Sequence, residues 1–122
     1  MRTILLVDDE AYLRMLVHTT LDDPTYRILE AVDGHQALAM ARAEQPDLLV
    51  LDWMIPGLSG IAVAQALRLD PATAQIPIIM LTAKSQAVDQ AQRHALDLQA
   101  YLTKPFSPLE LLEKVQAILG TS

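Results

Sequence analysis

The run Leu48–Leu51, which leads into Asp52, constrains the fold of this chain more than any other stretch. Consecutive aliphatic residues without polar alternation are typical of a strand that is buried on both faces of a parallel sheet. In open sheets of this kind, ligands bind beyond the carboxyl ends of the strands. Asp52 stands at such an end. Taken alone, it has a second interpretation, as a residue that ends the strand and caps the following turn.

Polar groups also follow three other apolar runs, which are Ile4–Val7 before Asp8 and Asp9, Ile76–Leu81 before Thr82, and Ala100–Leu102 before Thr103 and Lys104. Each group has a simple structural interpretation by itself. The acids can cap a helix, the threonine can be an ordinary strand residue, and the lysine can be a solvated charge. If the strands are parallel, however, their carboxyl ends meet at one edge of the sheet. Their shared position favours a functional cluster.

The predicted strands alternate with helices at short spacing. Tyr26–Ala31 is the remaining strand, and helices are predicted at about residues 10–22, from the Asp33 capping box to before Pro46, from Ser59 through Arg68, at 86–95, and from Ser107 to about Leu119. The helix at 86–95 has many polar side chains on a thin apolar stripe, so we expect it to pack least firmly. Five strands alternating with five helices predict an α/β fold with a parallel sheet covered on both faces.

Length and composition narrow the class of protein. With 122 residues, 52% of them hydrophobic, the chain fits one domain spanning residues 1–122. The absence of cysteine excludes disulfides and thiol chemistry, and a formal charge of −6 argues against direct nucleic-acid binding. No apolar run approaches the ~18 residues of a membrane span, and no signal peptide is recognisable. We therefore expect a cytoplasmic protein without a membrane partner.

The chemistry of the predicted cluster indicates phosphoryl transfer. Three carboxylates in one place repel one another, and either a raised pKa or a divalent cation relieves that repulsion. Mg²⁺ suits a few carboxylates completed by water. A lysine and a hydroxyl beside such a cation are what a transferring phosphoryl group requires. Asp52 is then the predicted nucleophile, with Thr82 and Lys104 as its catalytic partners.

At these residues the chain resembles the receiver domains of two-component response regulators, the CheY-like group. The resemblance spans the whole chain, and its motifs are Asp8-Asp9, the run from Leu51-Asp52 to Pro56-Gly57, Leu81-Thr82-Ala83, and Tyr101–Phe106. It implies a flavodoxin-like, doubly wound (βα)5 fold with strand order 2-1-3-4-5. It also implies a cis peptide bond between Lys104 and Pro105, which proline makes accessible.

The same resemblance implies a metal site and a reaction. Mg²⁺ would be held by Asp9, Asp52 and the carbonyl of Met54, while Asp8 would position a metal-bound water. Asp52 would be phosphorylated by the phosphohistidine of a sensor histidine kinase or phosphotransfer protein. The chain would thus be no enzyme for a separate substrate and would catalyse only its own phosphorylation and dephosphorylation.

A conformational switch is expected as well. Lys104 and Thr82 would grip the phosphoryl oxygens, and Tyr101 would turn into the space that Thr82 vacates. The surface formed by the fourth predicted helix, the fifth strand and the fifth helix would then change and recruit a downstream effector protein or domain.

Departures from the family pattern concern a turn and the assembly of the protein. Asp97 replaces a usual glycine, which is tolerable because aspartate enters left-handed conformations more readily than most residues. Gln90, Gln99 and Ala100 stand where relatives that pair their receivers have charged partners. Since complementary charges fix the register and partner choice of an interface, we expect a monomer or a weak dimer.

Two alternative functions remain open. One is a constitutive pseudo-receiver that binds a partner without phosphorylation, and the complete set of aspartate, threonine and lysine argues against it. The other is a haloacid-dehalogenase-like phosphatase, which also uses an aspartate at a strand end. That family has a second acid two residues later, where this chain has Met54.

Overall fold

A five-stranded parallel sheet forms the centre of the computed structural model, which describes residues 1–83 and 94–120. Its strands are β1 (Arg2–Val7), β2 (Tyr26–Ala31), β3 (Leu48–Asp52), β4 (Ile78–Ala83) and β5 (Ala100–Lys104). The strand order is β2-β1-β3-β4-β5, and every pairing is parallel. This confirms the predicted strand order and the doubly wound fold.

Helices lie between the strands and after the last one. They are α1 (Ala11–Thr20), α2 (Gly34–Glu44), α3 (Gly60–Leu69) and a C-terminal helix (Pro108–Leu119). Residues 94–96 are also helical. Most of the helix predicted at 86–95, and its expected loose packing, fall outside the described residues. Among the described residues, no helix is both long and apolar enough to span a bilayer.

Alternation along the strands builds two apolar layers, one on each face of the sheet. On β3, Leu49 and Leu51 face one layer, whereas Leu48 and Val50 face the other. The first layer contains residues of α2 and α3, and the second contains residues of α1 and the C-terminal helix. Because all of β3 is buried, its continuous aliphatic run is explained by burial on both faces.

Side-chain caps start three of the helices where the sequence predicts them. Asp33, Ser59 and Ser107 each accept a hydrogen bond from the backbone N–H three residues ahead. Gln36 completes the start of α2 by accepting from the N–H of Val32 rather than from that of Asp33, so the predicted capping box is displaced by one residue. By contrast, α1 has no side-chain cap at its N-cap residue, Glu10. The N-cap residue of α1 is therefore Glu10 and not one of the aspartates before it.

Two local backbone features agree with the sequence-based expectations. The peptide bond between Lys104 and Pro105 is cis. Asp97 has a positive φ of 52°, the left-handed conformation that the replaced glycine would adopt easily.

The sheet register brings the polar strand ends to one edge. Val7 lies opposite Leu51, so Asp8 and Asp52 follow from neighbouring strands at the same level. Asp52 pairs with Leu81, and Ala83 pairs with Lys104 on β5. This edge carries the candidate functional site.

Candidate functional site

Lys104 bridges two buried carboxylates at the edge of the sheet. Its ammonium Nζ donates to Oδ2 of Asp52 at 2.9 Å and to Oδ2 of Asp8 at 3.2 Å. Only 4% of Asp52 and 1% of Asp8 is exposed. The carboxylate of Glu10 lies 4.0 Å from the same ammonium group and is largely exposed. Three strands and the start of α1 thus contribute to one charged cluster.

The pKa values of Asp52 and Lys104 reflect an excess of negative charge in a small buried space. Burial raises the pKa of the Asp52 carboxyl and the charge of Asp8 raises it further, against the hydrogen bond from Lys104, which lowers it. Burial by itself would lower the pKa of Lys104. The hydrogen bond to Asp52 and the charges of both aspartates outweigh burial and raise it. Lys104 therefore stays cationic, and its single charge does not compensate the acids around it.

Asp9 is a further acid of the cluster, and it is exposed. One carboxylate oxygen from each of Asp8, Asp9 and Asp52 lies within 4.8 Å of the others. Such a set of oxygen ligands, one of them open to solvent, fits a hard divalent cation that keeps part of its water shell. The donor chemistry therefore fits Mg²⁺.

Backbone contacts fix the position of Asp52. The N–H of Trp53 donates to the carbonyl of Leu81 at 2.9 Å, which extends the pairing of β3 with β4 past the aspartate. The N–H of Met54 donates to Oδ1 of Asp52 at 3.3 Å. Gly60 closes the loop, because its N–H donates to the carbonyl of Trp53 at 2.8 Å.

Gly60 is needed for a steric reason that sequence reasoning missed. A Cβ atom at this position would lie 2.5 Å from the carbonyl oxygen of Asp52 and 2.8 Å from Cα of Trp53. Both atoms belong to the backbone and cannot move aside as a flexible side chain would. A glycine directly after the N-cap Ser59 was the only local signal, and it gives no indication that Asp52 lies opposite.

The remaining predicted site residues occupy different positions around the cluster. Thr82 is buried near the end of β4, opposite Thr103 of β5. Met54 has an exposed side chain, and only its N–H has a described contact with Asp52. Tyr101 is half-buried on β5 opposite Met80, and it packs against the layer that contains α2 and α3. The structure thus groups Asp8, Asp9, Asp52 and Lys104 by direct distances.

Together, the fold and this acidic cluster with its lysine define a receiver domain. The sequence matches the family model described as "Response regulator receiver domain" over residues 4–116. The chain therefore belongs to the receiver domain family of response regulators, which act in phosphorylation-based two-component signalling.

Relatives with described roles include transcriptional regulators. The chain is 46% identical to the phosphate regulon transcriptional regulatory protein PhoB of Pseudomonas aeruginosa over 118 residues, which are 97% of this chain and 52% of that protein. It is 43% identical to the alkaline phosphatase synthesis transcriptional regulatory protein PhoP of Bacillus subtilis, over 99% of this chain and 50% of the relative. The chain spans about half the length of these relatives.

Solved structures give the same fold. The chemotaxis response regulator CheY4 of Vibrio cholerae superimposes with a TM-score of 0.87 at 33% identity, covering 98% of this chain and 99% of that one. The receiver domain of the sensor histidine kinase PA1611 from Pseudomonas aeruginosa gives 0.85 at 29% identity, with 98% of each chain covered. That structure is described as having a magnesium ion coordinated in its active site cleft.

These comparisons also bear on the alternatives and on the partners. A receiver family match over most of the chain does not favour the pseudo-receiver or the phosphatase. The expectation of no nucleic-acid partner is not supported, because the DNA-binding dual master transcriptional regulator RpaA of Synechocystis is 43% identical over 98% of this chain and 49% of that protein. The expectation was based on the formal charge of −6, which is counted over these 122 residues only.

Proposed function

We propose that this chain is one receiver domain, spanning residues 1–122, that accepts a phosphoryl group on Asp52 from the phosphohistidine of a sensor kinase or phosphotransfer protein. The observation that supports this best is the buried Asp52 carboxylate, 2.9 Å from the Lys104 ammonium at the open edge of the sheet. A carboxylate oxygen of Asp52 attacks phosphorus, and the bond between phosphorus and the donor imidazole nitrogen breaks. The electron pair of that bond returns to the imidazole.

Lys104 prepares the carboxylate and then stabilises the transferred group. Before transfer, its ammonium group is shared between Asp52 and Asp8. As negative charge develops on the phosphoryl oxygens, the same group moves to them, since catalysis of this reaction is mostly positioning and charge stabilisation. Thr82, buried at the end of β4, supplies a hydroxyl donor to another phosphoryl oxygen.

Mg²⁺ is the cofactor that this donor set suits. Asp9, Asp52 and the carbonyl of Met54 would hold the ion, and Asp8 would orient a water bound to it. When bound, the ion neutralises phosphoryl oxygens and relieves the repulsion among the carboxylates. The protein contributes the fixed positions of those oxygens, which the loop around Met54 and the turn after β1 determine.

Thr82 and Tyr101 would transmit the effect of phosphorylation from Asp52 to the protein surface. A phosphoryl group on Asp52 draws the Thr82 hydroxyl towards it, and the half-buried Tyr101 ring moves into the space left behind. The surface near β5 and the C-terminal helix changes as a result and binds a downstream effector protein or domain.

The donor protein would bind beside the acceptor, on α1. Tyr12 and Met15 expose 67% and 60% of their surfaces there. A groove next to them opens at Lys104, and its lining residues are Glu10, Tyr12, Leu13, Leu16, Lys104, Pro105 and Phe106. Exposed apolar side chains of this size beside a reacting carboxylate are typical of a protein-binding surface.

Incubation with a small phosphodonor and Mg²⁺, followed by intact-mass measurement, tests the proposal. We expect one stable phosphate adduct on the native chain and none on Asp52→Asn. Asp22→Asn, which changes an exposed aspartate after α1, is the matched control and should be phosphorylated like the native chain. A pseudo-receiver would give no adduct. A phosphatase would consume the donor without keeping the phosphate, and either result would overturn the proposal.

A further inference from the structure

Arg14 of α1 joins the turn after β1 to the neighbouring strand β2. Its Nη1 donates to the backbone carbonyl of Asp8 at 2.9 Å, and its Nε donates to Oε1 of Glu30 at 3.1 Å. The Arg14 side chain is only 19% exposed. One guanidinium group therefore connects a side chain of the sheet to the peptide that precedes Asp9.

Glu30, whose side chain is 36% exposed, is the anchor for this contact. It lies on β2 opposite Leu6 of β1, two residues before Asp8. Its second carboxylate oxygen is 2.8 Å from Nδ1 of His18, so both oxygens have partners. A carboxylate held at both oxygens orients the planar fork of an arginine better than a freely rotating one.

The contact with the Asp8 carbonyl controls the orientation of Asp9. A peptide group is planar, and the plane that contains the Asp8 carbonyl also contains Cα of Asp9. When Arg14 holds the carbonyl oxygen, it therefore restrains the peptide plane from which the Asp9 side chain starts. Loss of the contact would leave the Asp8 carbonyl without its partner and loosen this peptide.

The other polar atoms of Asp8 are held as well. Its N–H donates to the carbonyl of Ala31 at 3.2 Å, and Oδ1 accepts from the N–H of Glu10 at 2.9 Å. Oδ2 accepts from Lys104 at 3.2 Å. With Arg14 on the carbonyl, every polar atom of Asp8 has a partner, and the turn that carries Asp8 and Asp9 is pre-organised.

We propose that Arg14 is a positioning residue for the divalent cation, with Glu30 as its anchor, because together they hold the Asp8–Asp9 peptide. This inference rests on the proposed Mg²⁺ site. It makes a prediction whose sign is opposite to that of simple electrostatics. A guanidinium near the cluster repels a cation, so removing its charge alone would strengthen Mg²⁺ binding. Removing the contact between Arg14 and the Asp8 carbonyl loosens the turn and therefore weakens Mg²⁺ binding.

Mg²⁺ titrations of the metal-free protein, followed by Trp53 fluorescence and by calorimetry, separate the two effects. Arg14→Gln removes both the charge and the fork. Arg14→Lys keeps the charge, but a lysine does not offer two donors in a fixed fork. We expect both variants to bind Mg²⁺ about 10-fold more weakly, as is usual when a residue that orients a metal ligand is removed. Glu30→Gln weakens the anchor and also removes a negative charge, so a smaller loss in the same direction is expected and supports the inference only beside Arg14→Lys, which keeps all charges.

Arg27→Lys is the matched control, because Arg27 also joins β2 to a helix through a carboxylate, that of Glu44, at 3.0 Å. It lies opposite Thr3, at the far end of β2 from the cluster, and should bind Mg²⁺ like the native chain. Unchanged affinity in Arg14→Lys, or tighter binding by Arg14→Gln, would overturn the inference. If Arg14→Gln does not fold, Arg14→Lys decides the question, because it keeps the charge and removes only the fork. A native chain that bound no Mg²⁺ would instead refute the proposed metal site, and the inference with it.

Discussion

Asp52 is held in the folded protein at a cost to its charged form, and this predicts how stability depends on pH. Burial raises the pKa of its carboxyl above the ordinary 3.8. Stability contributed by a carboxyl with a raised pKa is present when it is protonated and is lost as the pH rises through the folded-state pKa. In metal-free buffer, Asp52→Asn should therefore be more stable than the native chain at pH 7.

Urea unfolding at several pH values checks this prediction. The difference between Asp52→Asn and the native chain should shrink as the pH falls below the raised pKa, because the native carboxyl is then neutral as well. Lys104 keeps Asp8 as a partner in the variant, so no buried cation is left alone. A native chain more stable than the variant at pH 7 would show that the ion pair outweighs burial.

Gly60 should tolerate no side chain. Gly60→Ala places a Cβ atom 2.5 Å from the carbonyl oxygen of Asp52, so the loop after β3 must shift. Overpacking of this kind costs about 1–3 kcal/mol, and a displaced Asp52 should also be phosphorylated more slowly. Chemical unfolding and intact-mass time courses measure the two effects. Gly120→Ala, where an added Cβ meets nothing within 4 Å, should leave phosphorylation unchanged.

At the scale of single residues, sequence reasoning succeeded where the information was local. Asp8, Asp52 and Lys104 were predicted to converge because each follows a strand, and parallel strands end together. Arg14 and Gly60 were missed because their roles depend on partners elsewhere in the chain. Glu30 is 16 residues from Arg14, and no local pattern pairs them.

Among the secondary structure elements, Arg68 of α3 links several segments through the backbone. It donates to the carbonyls of Ala74 and Ile76 before β4 at 3.0 and 2.8 Å. It also donates to the carbonyls of Leu96 and Asp97 before β5, at 2.7 and 3.1 Å. Hydrogen bonds from Arg68 thus connect the left-handed turn at Asp97 to α3.

Arg68→Met should destabilise the fold by about 3 kcal/mol or more, since it leaves several carbonyls without their donor. Arg42→Met is the matched control, because Arg42 forms an exposed ion pair with Asp70 at 3.4 Å. Such surface pairs contribute about 0–1 kcal/mol. Urea unfolding of both variants measures the comparison, and equal losses would show that the carbonyls find water as an adequate partner.

The elements themselves were largely predictable. Uninterrupted aliphatic runs gave the buried strands, and serine or aspartate before an apolar stripe gave three helix starts. The first helix was predicted at about 10–22, up to Asp23-Pro24, but it spans Ala11–Thr20 because Leu21 already leaves the helical conformation before the proline is reached. Residues 84–93 lie outside the described structure, so the expected packing of the fourth helix stays a prediction.

At the scale of the whole molecule, changes on α1 should slow phosphorylation by a kinase without slowing phosphorylation by a small phosphodonor. Tyr12→Ala together with Met15→Ala removes exposed apolar surface on α1 and leaves the residues Asp52 and Lys104 themselves unchanged. We expect the double variant to accept phosphate from a kinase about 10-fold more slowly, since a few large side chains carry most of the binding energy at an interface. Its rate with a small phosphodonor should match the native rate.

Single-turnover transfer from a phosphorylated kinase, beside intact-mass time courses with a small donor, gives the two rates. Leu69→Ala is a suitable control, because Leu69 is 85% exposed at the end of α3 and does not line the groove at Lys104. Equal slowing with both donors would mean that the α1 variant has damaged the site rather than the docking surface.

The last prediction concerns the assembly of the protein. Side chains at and just before the start of β5 bear on whether two copies can pair through the surface beside the C-terminal helix. Gln99 uses its side-chain oxygen to accept from the N–H of Ile78 at 2.9 Å, and Ala100 is buried. Neither supplies a charge to a partner, and Lys114 and Glu110 are among the few charges that line the groove beside them.

Because charges fix the register of such interfaces, we expect a monomer at micromolar concentration, with and without a phosphoryl mimic. Light scattering measures this directly. A tight dimer that forms with the mimic and dissociates on Lys114→Glu would show that the remaining charges are sufficient for pairing.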